Sequence, residues 1–192
     1  MANPFFTPLD EALFSQRIIQ VSGPVGEEMA RHVNKTLLAM EATDSKKPIY
    51  LFINSPGGEI TSGFSIFDTV RFIEPEVVSV VVGMAASMGS IISLAPRKKA
   101  NRFAFPNAKI LIHQPLISGT IHGTASELEI HARDIVQTRE KINSLYAHET
   151  GKPLAEIEEA TDRDNWMTPE EAMQFGLIAK IVSSRAEVFK PT

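Results

Sequence analysis

An α/β fold is predicted by three features of this 192-residue chain. Apolar positions switch between a period near four and a period of two, strands are apolar on both faces, and glycine-bearing breaks mark where one period gives way to the other. Such alternation argues for repeated β-α units. Length favours one domain spanning 1–192.

From Val25 to Glu41, Met29, Val33 and Leu37 recur every four positions with Ala30 and Leu38 beside them, which predicts an amphipathic helix. In Ile49-Tyr50-Leu51-Phe52-Ile53, Tyr50 and Phe52 share one face of a strand and the three aliphatic residues share the other, so each face needs a cover: helices on one side, a second layer or a partner on the other. Asn54-Ser55-Pro56-Gly57-Gly58 breaks that strand, and Phe64, Phe67, Val70 and Arg71 mark the next helix face. Val77 to Val82 predicts a buried β-branched strand ended by Gly83, and Ser87 to Leu94 a helix of small and aliphatic residues.

Two short strands are expected at Arg102 to Phe105 and Lys109 to His113, before a Gly/Thr-rich edge segment from Ser118 to Thr124. The longest helix is expected over Ala125 to Thr150, opened by a Ser126/Glu129 capping box and closed at Gly151 with Pro153 behind it. A short helix containing Leu154 to Ile157 comes next. Thr168-Pro169-Glu170-Glu171 then reads as N-cap, N1, N2 and N3 of a helix that stops at Gly176, with a last strand from Leu177 to Val182.

A net charge of -4 supplies no basic field for nucleic acid or anionic lipid, so neither is expected as a partner. The cluster Arg97, Lys98, Lys99 and Arg102 reads as a solvated loop between two elements. The absence of cysteine excludes a disulfide framework, thiolate metal ligation and a cysteine nucleophile. The first residues lack a basic stretch leading into an apolar run, and the longest apolar segment, Val77 to Ala86, is far shorter than the ~20 residues that span a bilayer. A soluble cytoplasmic protein is expected.

Fifteen serines, five histidines and six aspartates make composition useless for choosing a catalytic triad, so local context must decide. Ser87 stands where an apolar strand gives way through Ala85-Ala86 to a helix, a turn that aims a hydroxyl outward and gathers backbone N–H groups where negative charge develops. The bland reading is a helix N-cap. Ala85 also departs from the G-x-S-x-G elbow. Gly57-Gly58 can supply an oxyanion donor or simply form a tight turn. His113 lies at a strand end near loops, whereas His32, His131 and His148 fall on helices and His122 in the Gly/Thr-rich segment. Asp162 and Asp164 are equally spaced candidates to orient a histidine or to pair with Arg163.

Taken together and in order, Ile53-Asn54-Ser55-Pro56-Gly57-Gly58, Gly83-Met84-Ala85-Ala86-Ser87-Met88-Gly89-Ser90, Ile112-His113-Gln114-Pro115, and Asp162-Arg163-Asp164 before Glu171-Ala172-Met173-Gln174-Phe175-Gly176-Leu177 resemble the ClpP family of proteolytic subunits of the Clp proteases. The resemblance spans roughly Arg17 to Val182 and implies a crotonase-like α/β fold with a handle at about 116–150, made of a Gly-rich strand and the long helix. It implies a serine endopeptidase with Ser87 as nucleophile, His113 as general base, Asp164 as the orienting acid, and the Gly58 and Met88 N–H groups as oxyanion hole. It further implies a tetradecamer of two heptameric rings with Asp162 and Arg163 at ring-to-ring contacts. Tyr50, Phe52 and Phe72 would dock an AAA+ unfoldase of the Clp type. No metal or cofactor is expected, and ATP is used by the unfoldase alone.

Two differences from the family pattern stand out. About sixteen residues precede Arg17, which implies altered gating, and Ile117 to His122 lengthens the handle, which implies altered ring contacts. Both suit one of two paralogues in a mixed assembly, where this chain is active or is a catalytically silent, partner-activated ring subunit. A crotonase-type acyl-CoA enzyme is the other alternative, but the chain shows no carboxylate acid/base and no cationic CoA surface to support it.

Overall fold

The Ile49–Ile53 alternation forms an interior strand of a parallel sheet in the computed structural model, which describes residues 7–116 and 122–189. The Gly/Thr-rich stretch of the expected handle over 117–121, including most of its lengthening, lies outside the described residues. The chain divides into two units, 1–111 with 167–192 and 112–166.

The first unit contains α1 (Pro8–Ser15), β1 (Ile18–Ser22), α2 (Glu27–Thr43), β2 (Ile49–Ser55), α3 (Ile60–Phe72), β3 (Val77–Ala86), α4 (Met88–Ser93), β4 (Arg102–Ala104) and most of β5 (Lys109–Ile112). The chain departs into the second unit as α5 (Ala125–Thr150), α6 (Leu154–Thr161) and β6 (Asn165–Met167), whose last residue returns to the first unit. There it forms α7 (Pro169–Phe175), β7 (Lys180–Ile181) and α8 (Arg185–Val188).

The sheet runs β1-β2-β3-β4-β7 with all neighbours parallel, and β5 pairs in parallel with the C-terminal end of β3. Its β-α repetition is the predicted α/β architecture. Ile49, Leu51 and Ile53 are buried on one face, together with Val33, Leu37 and Met40 of α2 and Ile66 and Val70 of α3. On the other face, Tyr50, Val78 and Val80 cluster with Val182 and Val188, and Phe52, Phe103, Phe105 and Phe189 pack against them. The second apolar face of β2 is thus covered in part by the chain's own C-terminal segment. The Phe189 ring centroid lies 4.4 Å from that of Tyr50.

Several boundaries depart from the sequence expectation for physical reasons. The helix expected from Val25 starts at Glu27, because Val25 donates its N–H to the Gly57 carbonyl at 2.8 Å and accepts from Glu59 at 2.9 Å. β3 does not stop at Gly83: after Ser79, Val80 and Val81 pair with β4, Met84, Ala85 and Ala86 find a new partner in β5, and ladder pairing overrides the weak strand preference of glycine. The last strand shrinks to Lys180–Ile181, since the Leu177 and Ile178 N–H groups close the end of α7 on the Ala172 carbonyl at 2.9 and 3.5 Å. Gly176, left-handed at φ 100°, allows that closure.

The basic cluster is not a solvated loop throughout. Arg97 donates to the carbonyls of Arg71, Ile73, Glu74 and Pro75, and Arg102 is buried and donates to the Pro96 carbonyl at 2.8 Å. A planar guanidinium satisfies several carbonyls at a helix end at once.

In the second unit, α5 opens one frame earlier than the Ser126/Glu129 box. Thr124 is the N-cap, accepting from the Glu127 N–H at 3.4 Å while the Glu127 carboxylate accepts from the Thr124 N–H at 2.7 Å. Both frames have the S/T-x-x-E pattern. Glu129 instead pairs with Arg133 one turn on, at 2.6 Å. Only Ile142, Asn143, Tyr146 and Glu149 of α5 are buried, all in its last three turns. There Thr161 of α6 donates its hydroxyl to Asn143 Oδ1 at 3.0 Å.

Candidate active site

β3 ends in a turn that a right-handed helix start cannot make. Ser87 has φ 54° and ψ -121°, a region that side-chain-bearing residues rarely occupy, and its side chain forms no capping hydrogen bond. An N-cap serine would have an extended backbone and accept an N–H from the first turn, so the capping role is excluded. The strained backbone is held by Ser87 N–H donating to Leu111 O at 3.0 Å, and by Ser90 N–H donating to Ser87 O at 3.0 Å. Met88 opens α4, where first-turn N–H groups have no intrahelical acceptor.

Gly57 and Gly58 lie directly against this turn. A Cβ on Gly57 would come 2.6 Å from the Ala86 carbonyl, 2.7 Å from Ser87 Cβ and 3.0 Å from the Met88 nitrogen. A Cβ on Gly58 would overlap the Val25 carbonyl on the opposite side, and its φ of 148° also demands glycine. The Gly57-Gly58 segment is therefore held between the Val25 loop and the Ser87 turn. Ser55, fully buried, ties the loops together by donating to the Gly23 carbonyl at 2.7 Å and accepting the Gly57 N–H at 3.2 Å. That bond engages the Gly57 donor and leaves Gly58 as the donor of the pair.

The second unit builds a different kind of arrangement. Gln114 donates its backbone N–H to Thr161 O at 2.6 Å and its side-chain amide to Asp162 O at 2.8 Å, which fixes the 161–164 segment beside the start of the unit. Asn165 donates to Ala160 O at 3.1 Å and closes the same segment. Asp164 Oδ1 then stands 2.9 Å from His113 Nδ1. The histidine side chain is 14% exposed and the carboxylate 65% exposed. Asp162 takes the other role, with Oδ2 3.5 Å from Arg163 Nε. Sequence spacing left these two aspartates equivalent; the Gln114 bonds separate them.

Ser87, Met88 and Gly58 thus come together in the first unit, and His113 with Asp164 in the second. Of the aromatic residues expected to dock a partner, Phe72 is 80% exposed at the end of α3, Phe52 is half-buried, and Tyr50 is 7% exposed beneath Phe189. Burial raises the Tyr50 pKa, with Arg185 opposing the rise. Among the described residues no group of three His, Asp or Glu side chains is arranged to hold a metal, and no helix is long and apolar enough to cross a membrane.

Sequence reading missed the Val25 loop, Ser55, Gln114 and Thr161. Gly23-Pro24 and Gly26 flank Val25 and signal a turn, a local cue that competes with the period-four helix pattern. No local signal marks Thr161.

A strained serine at a strand-to-helix turn, with a glycine pair packed beside it, is the most sharply built feature of the α/β sheet. The Clp protease family model matches residues 6–185, and the chain belongs to that family. It is accordingly a ClpP-type peptidase.

Proposed function

We propose that the chain is a serine endopeptidase in which Ser87 attacks the peptide carbonyl, His113 carries the proton and Asp164 orients His113. His113 Nε2 takes the Ser87 hydroxyl proton as Oγ bonds to the carbonyl carbon, and the carbonyl oxygen becomes an oxyanion received by the Gly58 and Met88 N–H groups. Collapse breaks the C–N bond, and the imidazolium delivers its proton to the leaving amine. Water repeats the cycle on the acyl-enzyme, releasing the acid and restoring Ser87. Asp164, accepting from Nδ1–H, keeps Nε2 free as base and stabilises the imidazolium.

The observation that carries this reading is the positive-φ Ser87 turn with Gly57 packed against it, since strain of this kind concentrates at functional sites and the hydroxyl makes no capping bond. The Asp164–His113 bond supports it further. Family membership supports a chamber of two stacked heptameric rings in which unfolded polypeptide, delivered by an ATP-driven AAA+ unfoldase, is cut to short peptides. In this reading Asp162 and Arg163 contact the facing ring, a paralogue can share the assembly, and of the three aromatic residues Phe72 and Phe52 are open to an unfoldase while Tyr50 lies beneath Phe189.

Ser87→Ala is expected to abolish hydrolysis of a fluorogenic peptide, a loss of about 10⁵- to 10⁶-fold, and to remove labelling by a fluorophosphonate. Native mass spectrometry of the same sample reads the ring state. Undiminished hydrolysis by Ser87→Ala sinks the assignment.

A further inference from the structure

The strands that carry the two halves of the proposed oxyanion hole are joined at an irregularity, and one side chain spans it. β2 and β3 pair in regular register from Ile49↔Val77 to Ile53↔Val81, but the next pair is Ser55↔Ala85. Asn54 alone therefore stands opposite Val82, Gly83 and Met84. A bulge of this kind strands backbone groups and re-aims the chain beyond it. Beyond it on β2 lies the Gly57-Gly58 segment, and beyond it on β3 lies Ser87.

Asn54 fills the gap with its side chain. Its Oδ1 accepts the Met84 N–H at 3.1 Å, replacing the strand carbonyl that the bulge removes. Its own carbonyl accepts the Gly23 N–H at 3.0 Å, so the same residue also holds the loop leading to Val25. Gly83 makes room for the amide: a Cβ there would lie 2.5 Å from Asn54 Oδ1. The residue is exposed, so it contributes little to the core, and a strand-end surface position gives no packing reason for an amide.

We propose that Asn54 is a positioning residue that sets the offset between the Gly58 and Met88 donors by bonding Met84 across the bulge. The inference rests on the reading of Ser87 as nucleophile. It predicts that the side-chain oxygen matters and that the amide nitrogen does not, because Asp and Asn both present an acceptor to the Met84 N–H.

The test compares wild type, Asn54→Ala, Asn54→Asp and Gly83→Ala in the intact assembly, with ring state checked by native mass spectrometry. Steady-state peptide hydrolysis, the rate of fluorophosphonate labelling at Ser87 and amide hydrogen exchange at Met84 are measured. Asn54→Ala is expected to lower kcat and the labelling rate about 10- to 100-fold, the scale of a small misplacement of catalytic groups, while KM changes less than about twofold. Met84 exchange should rise. Asn54→Asp should recover most of the lost rate, and Gly83→Ala, which expels the amide without changing it, should fall with Asn54→Ala. Wild-type rates in Asn54→Ala, equal losses in the Ala and Asp variants, or a change confined to KM overturn the inference while leaving Ser87 labelled. Absence of Ser87 labelling in wild type overturns the catalytic reading and this inference with it.

Discussion

The Ser87 turn and the His113–Asp164 pair are held in place by opposite means. Around Ser87 the backbone does the positioning: a positive φ, two glycines that exclude any Cβ, and N–H groups aimed by a strand end and a helix start. Around His113 side chains do it: the Gln114 amide holds the 161–164 segment, and a single carboxylate bond orients the imidazole. Backbone positioning tolerates almost no added atom. Side-chain positioning tolerates changes of volume but is sensitive to the loss of one acceptor.

The largest break in that contrast should come on the side-chain half. Asp164→Asn preserves shape but replaces an acceptor-only carboxylate with an amide that can present its N–H₂ to Nδ1, favouring the tautomer with Nε2 protonated. Peptide kcat is expected to fall about 10⁴-fold with the fold intact by circular dichroism. Asp162→Asn is expected to leave the chemical step of assembled rings far less affected. Equal losses in the two variants would merge the roles that the Gln114 bonds separate.

On the backbone half, Gly58→Ala adds one carbon against the Val25 carbonyl at a φ of 148°. Relief requires the loop to move, which displaces the proposed oxyanion donor. A loss in kcat of about 10²- to 10³-fold is expected, measured alongside the thermal midpoint. Gly23→Ala serves as a control for φ alone, since nothing lies within 4 Å of a Cβ there; it should lower stability with little effect on kcat.

The smallest effect concerns the C-terminal cover of the Tyr50 face. Hydrogen bonds from the Ser183 N–H, Lys180 and Ser184 hold the Glu187 carboxyl at a pKa of about 2, below its ordinary 4.5. A depressed folded-state pKa stabilises the fold above the unfolded value, and that contribution is lost as pH falls through the folded one. Loosening of α8 is therefore expected between about pH 4.5 and 2, read by hydrogen exchange at Phe189. Glu187→Gln should flatten that dependence, and an unchanged profile in the variant would place the loosening elsewhere.

Much of the fold was legible because its signals are local. The Thr168-Pro169-Glu171 start and Gly176 stop of α7 are made by residues within a turn of one another, and the same holds for the alternation in β2. Where the competing partner is distant, local reading failed. Val25 left its helix for Gly57, and β3 ran past Gly83 because β5 offered new pairing. At the start of α5 the competition is itself local, with Thr124 rather than Ser126 as cap although both frames fit.

The strand-to-helix turn at Ser87, the glycine pair, and His113 at a strand end were all visible in the amino-acid sequence, because glycine breaks and periodicity changes are short-range properties of the chain. Tertiary structure decided that Ser87 is strained rather than a cap and that Asn54 bridges a bulge, and it put Asp164, which spacing had not separated from Asp162, beside His113. Each of these depends on a hydrogen bond or close approach between residues about thirty to fifty positions apart, and no local pattern specifies such a distance.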